Sequence, residues 1–241
     1  MTRVDFYHNN LEQLPEWDAY MLAESGLPGP RGNLELAEAA VDLGTREHFM
    51  RWLHLPLAES PTNSPQELLV FCGVVGLGKL AAGGDLSVIE RLRSYASDPR
   101  WRIREAVAFA LQRIGRANRD LLLETTKRWI EGNRLEQRAV IAGLAEPDLL
   151  TDQRTARILL QYLNFLTSSL ANAEDRKSEE FRVLRQALGY AWSVAVAALP
   201  QDGLSMMKPW LENDDKDISW VMKENLKKKR LAPYTDKLLV G

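Results

Sequence analysis

The sequence has few of the side chains that carry redox or metal chemistry, since it contains one cysteine and three histidines in 241 residues. A single cysteine forbids an intrachain disulfide and favours a reducing compartment, so we expect a cytoplasmic protein. The histidines (His8, His48 and His54) form no HExxH motif or Cys/His cluster. We therefore expect no bound metal and no cofactor. The sequence also lacks the GxSxG signature of many hydrolases.

Long hydrophobic runs are also missing. The longest apolar run, Leu188–Leu199, is interrupted by Ser193 and falls short of the roughly 20 residues that span a bilayer. The polar start, Met1–Asn10, lacks the apolar core of a signal peptide. Because 45% of the residues are hydrophobic and 27% charged, we expect a soluble globular protein with no membrane partner.

Helix signals, in contrast to strand signals, recur along the whole chain. The clearest stretch is Ser97–Gly115, SDPRWRIREAVAFALQRIG. Asp98 is a candidate N-cap and Pro99 suits the first turn. The apolar residues of one face are Ile103, Val107, Ala110, Leu111 and Ile114. Their spacing predicts an amphipathic helix with one buried stripe.

This helix pattern repeats. The template Arg104–Ile114, REAVAFALQRI, aligns with segments placed 34 residues before it and 33 residues after it, and with two later segments separated by insertions. The aligned segments are Val70–Leu80, Gln137–Leu144, Arg185–Trp192 and, through its Asp, Trp and Glu, Asp217–Glu224. Other helical segments lie between them. A period of about 33–47 residues with paired helices is typical of α-solenoids.

We therefore predict an all-α fold, specifically a right-handed α-α superhelix of the HEAT or armadillo kind with about five helix pairs. Residues 1–44 should form an N-terminal helical extension or cap, and residues 45–241 one continuous solenoid domain. Asn33 and Gly44 should bound a helix over Leu34–Leu43. Ser64 and Pro65 should begin another.

One motif allows two interpretations. Gly73–Lys79, GVVGLGK, has the GxxxxGK spacing of a nucleotide-binding loop, but Leu80 stands where that loop has Ser or Thr. The chain also lacks the alternating strands and helices of a parallel sheet. Glycines that let neighbouring helices pack closely are the favoured explanation.

The basic middle of the chain carries the main functional signal. Residues 88–140 hold twelve basic and seven acidic side chains, whereas residues 1–60 hold four and ten. The basic residues could follow phosphates, or form a solvated helix face paired with Glu90, Glu105 and Glu124. Trp101 and Trp220 could instead pack between repeats. The candidates for partner or nucleic-acid binding are Arg100, Trp101, Arg102, Arg104, Arg113, Arg116, Arg185 and Trp220.

Asp98–Ile114 and Asp217–Leu231 resemble HEAT-like repeats, and the resemblance covers roughly residues 45–231. The chain is also similar, in length and helical pairing, to the DNA alkylation repair glycosylases built on such repeats. That similarity implies a concave basic surface for DNA and a catalytic aspartate. The Trp-Trp-Asp-type motif of that family is absent, and Asp98 and Asp217 precede their tryptophans as helix caps would. The whole chain also resembles uncharacterised bacterial HEAT-repeat proteins that carry a segment like LPGPRGNLELA, residues 27–37 here, and this resemblance implies a fold and not a function.

Three functions follow as hypotheses. The leading one is a non-catalytic scaffold that binds a protein partner on its concave face. The alternative is a DNA-binding protein, similar to the alkylation repair glycosylases, that uses the basic middle repeats. The third is an enzyme accessory or lyase-like repeat subunit that acts on a bound chromophore or peptide. The first two differ in the salt dependence of binding, because phosphate contacts weaken steeply as salt rises.

Overall fold

The computed structural model describes residues 1–234, and those residues form helices with no strand among them. The predicted all-α fold is confirmed. The chain divides into two compact units, Met1–Arg119 (unit 1) and a second from Asp120 onward (unit 2). The boundary drawn from the sequence at residues 44 and 45 lies inside unit 1, because the helices before it pack against those after it.

Unit 1 begins with helices that are fixed by local caps. Its helices are α1 (Arg3–Glu12), α2 (Asp18–Ala23), α3 (Leu34–Leu43), α4 (Arg46–Trp52), α5 (Pro65–Ala82), α6 (Ile89–Ser94) and α7 (Trp101–Ala117). The Asn33 side chain caps α3, Gly44 ends it, and Ser64 caps α5 before Pro65, as predicted. The sequence analysis missed α1, which Thr2 and Asp5 begin with a reciprocal capping box.

The core of unit 1 is the packing of α5 against α7, with α3 and α4 also against α5. Glycines make this packing possible. A Cβ at Gly76 would lie 2.3 Å from the Phe49 ring, and one at Gly78 would lie 2.5 Å from the Ala110 carbonyl oxygen. By length and composition α5 could cross a membrane, but 72% of it is buried inside the protein, as suits a core helix.

Gly73–Lys79 therefore lies inside a helix, and the nucleotide-loop interpretation is wrong. Lys79 has a structural contact instead. Its Nζ donates hydrogen bonds to the carbonyl oxygens of Val41 (3.1 Å), Asp42 (2.6 Å) and Gly44 (2.9 Å) at the end of α3. Those carbonyls have no partner within the helix. Burial lowers the pKa of Lys79.

The predicted stripe of α7 is confirmed, because Ile103, Val107, Ala110, Leu111 and Ile114 have no exposed surface. The predicted start of the helix is wrong by a few residues. Helix α7 begins at Trp101, and its N-cap is Arg100 rather than Asp98. The Asp98 carboxylate accepts the backbone N–H of Arg100 at 2.8 Å, so it organises the turn before the helix.

Unit 2 has a similar arrangement around one long helix. Its helices are α8 (Arg119–Trp129, starting at the boundary), α9 (Arg134–Leu144), α10 (Gln153–Ala171), α11 (Glu179–Ala198), α12 (Pro200–Leu211) and α13 (Lys216–Leu226). Helix α11 packs against α9, α10 and α13. Short 3-10 helices lie at Leu149–Thr151 and Lys229–Tyr234. Helices aligned by the sequence repeat are thus direct neighbours within each unit.

Candidate partner-binding groove

The arginines at the start of α7 are internal. Arg100, Arg102 and Arg104 are 5%, 8% and 7% exposed. Arg100 pairs with Asp98 at 2.8 Å and donates to the carbonyl oxygen and hydroxyl of Ser60. Burial opposes the charge of Arg100, but its hydrogen bonds and attraction to Asp98 outweigh burial and raise its pKa. Arg104 donates to the carbonyl oxygen of Asp98 at 3.0 Å.

Arg102 connects three parts of unit 1. Its guanidinium donates to Glu67 Oε2 on α5 at 3.2 Å and to the Gly29 carbonyl oxygen at 2.7 Å. The same guanidinium lies over the Trp101 ring, 4.4 Å from its centre. Glu67 has no exposed surface. These contacts hold the loop before α3 against α5 and α7, so Arg100, Arg102 and Arg104 are components of the core and offer little surface to a partner.

The other predicted residues of α7 lie at the surface. Trp101 is 49% exposed. Arg113 is about a quarter exposed and pairs with Asp42 at 2.5 Å. Arg116 is exposed. Trp101, Glu105, Phe109 and Arg113 follow one another at every fourth position, so they share one helix face. The structure brings this face to a groove.

The groove consists of two adjoining cavities of about 280 Å³ each, which share Arg31, Leu34, Phe71 and Phe109. We call it the aromatic groove. Its remaining lining residues are Leu27, Pro30, Gly32, Glu35, Ala37, Glu38, Glu67, Leu68, Val75, Trp101, Arg102, Glu105, Arg113 and Arg116. All of them belong to unit 1. The loop before α3 forms one wall, and α5 and α7 form the floor.

The floor of this groove includes aromatic side chains from α5 and α7. Phe71 and Phe109 contact each other edge to face, with ring centres 5.7 Å apart. Trp101 lines the more apolar cavity. The sequence analysis named Trp101 but missed Phe71 and Phe109. The four-residue spacing from Trp101 to Phe109 was an available signal for part of the floor.

The charges of the aromatic groove balance. Its lining includes four cations (Arg31, Arg102, Arg113 and Arg116) and four carboxylates (Glu35, Glu38, Glu67 and Glu105). A site that follows a phosphate backbone needs an excess of cations. The groove instead offers apolar contact area with charges of both signs at its edges.

Arg185 and Trp220 form a separate cluster in unit 2. The Arg185 guanidinium lies 4.4 Å from the centre of the Trp220 ring and 2.5 Å from Asp217. Asp217 also pairs with Arg176 at 3.1 Å. The N-cap of α13 is Asp215, not Asp217 as predicted. Arg185 and Trp220 therefore lie outside the aromatic groove.

Cys72 has no exposed surface. Burial raises the pKa of its thiol, which disfavours the thiolate that a nucleophile requires.

Comparison with family models, with curated proteins and with solved structures finds no match for this chain.

Proposed function

We propose that this protein is a non-catalytic, HEAT-like helical scaffold that binds a segment of a protein partner in the aromatic groove. The observation that carries the proposal is the half-exposed Trp101 beside an apolar cavity of about 280 Å³. Protein-binding sites concentrate their affinity in a few aromatic anchors that fill such pockets. An apolar side chain of the partner would enter the cavity between Trp101 and Phe109.

The charge balance supports a protein partner over nucleic acid. Three of the arginines proposed for phosphate contact are buried against Asp98, Glu67 and backbone carbonyls. Arg113 is paired with Asp42. Cations that are already neutralised within the protein have little left to offer to phosphates. Charges of both signs suit a polypeptide, whose side chains carry both.

Hydrogen bonds within the protein fix the walls of the groove in the absence of a partner. Arg102 anchors the loop before α3 through the Gly29 carbonyl, and Asn63 Oδ1 accepts the Gly29 N–H at 3.1 Å. A preformed wall reduces the entropy that binding must overcome. The partner would therefore meet a rigid groove.

A phage-displayed peptide library tests the proposal without knowledge of the partner. Peptides are selected on the wild-type protein, and their dissociation constants are measured by fluorescence anisotropy. We expect selected peptides to share an apolar anchor residue and to bind Trp101→Ala at least about tenfold more weakly. Phe165→Ala is the matched control, because Phe165 is 53% exposed but lies in unit 2. Equal binding to Trp101→Ala and wild type would refute the proposal.

Labelled duplex DNA at low salt tests the alternative function. The proposal expects no binding that depends on the arginines of the groove, since the groove has no net positive charge. Binding that falls steeply with salt and is lost in Arg113→Glu/Arg116→Glu would favour the DNA-binding alternative over ours.

A further inference from the structure

Unit 2 contains a second, chemically different concavity. It is an open trough of about 780 Å³ whose lining residues are Pro147, Leu150, Thr151, Val194, Ala197, Ala198, Lys227, Lys228, Lys229 and Arg230. We call it the lysine trough. Its floor comes from the last turns of α11 and the 3-10 helix Leu149–Thr151, and its rim from the four consecutive cations.

The structure accounts for only part of this positive charge. Helix α13 ends at Leu226, and cations after a helix C-terminus stabilise its dipole. Lys227 pairs with Glu224 at 2.5 Å, and the Arg230 guanidinium lies 4.9 Å from the centre of the Tyr190 ring. Within residues 1–234, Lys228 and Lys229 have no ion-pair partner. Two adjacent lysines on the rim are thus unpaired.

The lining of the trough is one-sided in charge. Among its lining residues there is no carboxylate and no aromatic ring, whereas the aromatic groove has both. Cations beside an aliphatic floor complement a ligand with carboxylates on one side and aliphatic groups on the other. Small floor residues such as Ala197 and Ala198 allow the backbone of such a ligand to approach closely.

We propose that the lysine trough binds an acidic, amphipathic segment of a protein partner. Its carboxylates would contact Lys228 and Lys229, and its aliphatic side chains would cover Ala197 and Ala198, which are partly exposed. A single-stranded nucleic acid would gain from aromatic stacking platforms, which the trough lining lacks. This inference does not depend on the aromatic groove, because the trough lies in the other unit.

A synthetic helical peptide with glutamates on one face and leucines on the other is the probe. Its binding to the full-length protein is measured by fluorescence anisotropy at low salt. We expect Lys228→Glu/Lys229→Glu to weaken binding by at least about tenfold, because two attractive charges become repulsive. The matched control is Lys177→Glu/Lys216→Glu, which makes the same charge change at exposed lysines outside the trough and should stay within about threefold of wild type.

Three further measurements separate the sources of affinity. Replacing the glutamates of the probe by glutamine should abolish binding, and replacing its leucines by serine should weaken it. Ala198→Glu, at the exposed last residue of α11, should also weaken binding by placing a carboxylate in the trough. Each loss supports the proposal, provided that circular dichroism shows a folded variant.

Other outcomes would contradict the proposal that the lysine trough binds an acidic segment. Equal binding of the probe to Lys228→Glu/Lys229→Glu and to wild type would show that the trough is not the site. A labelled single-stranded oligonucleotide, or vesicles containing phosphatidylserine, that bound more tightly than the peptide and lost binding in the same variant would assign the trough to another class of ligand.

Discussion

Each unit holds an arginine whose guanidinium lies 4.4 Å from the centre of a tryptophan ring, but the surroundings of the two differ. In unit 1, Arg102 is 8% exposed, and its partner Glu67 is fully buried with no other ion pair among the described residues. In unit 2, Arg185 is about a quarter exposed, and its partner Asp217 has a second cation, Arg176. We therefore expect the loss of the arginine to destabilise unit 1 more than unit 2.

The largest expected effect is in unit 1. Arg102→Ala should lower the free energy of unfolding by about 3–5 kcal/mol, because it leaves the buried Glu67 carboxylate without its ion-pair partner. Urea unfolding at neutral pH, followed by circular dichroism, measures this loss.

The double variant Arg102→Ala/Glu67→Leu is the control for that explanation. Removing both charges should restore part of the stability, since a buried ion pair can be replaced by apolar groups at little cost. A loss of less than about 1 kcal/mol in the single variant would contradict the importance of the pair.

A smaller effect is expected in unit 2. Arg185→Ala should lower the free energy of unfolding by about 1 kcal/mol, because Arg176 stays 3.1 Å from Asp217 and continues to neutralise it. The same urea titration applies. If Arg185→Ala proved as costly as Arg102→Ala, the two clusters would be equivalent and the comparison would fail.

The smallest expected effects are local changes in stability with pH, at the start of α4 and at the start of α13. Burial lowers the pKa of His48, whose Nδ1 accepts the Thr45 N–H at the start of α4. Between that lowered pKa and about 6.5, the unfolded chain binds more protons than the folded protein, so unit 1 loses stability as pH falls through this window. Hydrogen exchange by mass spectrometry, compared at about pH 7.5 and about pH 5.5, should show lost protection in α4.

In unit 2, protonation of Asp215 should reduce stability at a lower pH than protonation of His48 does in unit 1. Burial tends to raise the pKa of Asp215, but hydrogen bonds from Arg176 and from two backbone N–H groups lower it overall. Its contribution is therefore complete above about pH 3.9 and is lost as pH falls through the lowered value. His48→Gln should reduce the loss of stability just below about pH 6.5. Asp215→Asn should reduce the loss of stability at lower pH.

Local sequence patterns were sufficient for most helices. Asn33, Gly44 and Ser64 bound helices as predicted because a cap is made by residues within a few positions of one another. The template alignment also placed α5, α7, α9, α11 and α13 in the right segments. The predictions that Asp98 and Asp217 cap helices were wrong. The carboxylates of both residues instead form ion pairs with arginines.

The candidate groove was only partly predictable. Trp101 was identified from its motif and Arg113 from its charge, but Phe71 comes from another helix and Arg31 from the loop before α3. Which side chains of separate helices meet depends on packing, and no local spacing records it.

The helical fold and the ends of most helices follow from local sequence, because caps, glycines and apolar spacing act within one or two turns. Which arginines are buried depends on the tertiary fold. Arg102 is buried against Glu67 and Gly29, which are distant in sequence, whereas Arg116, on the same helix, is exposed. The physical reason is that burial and pairing of a charge depend on the surfaces that folding places against it.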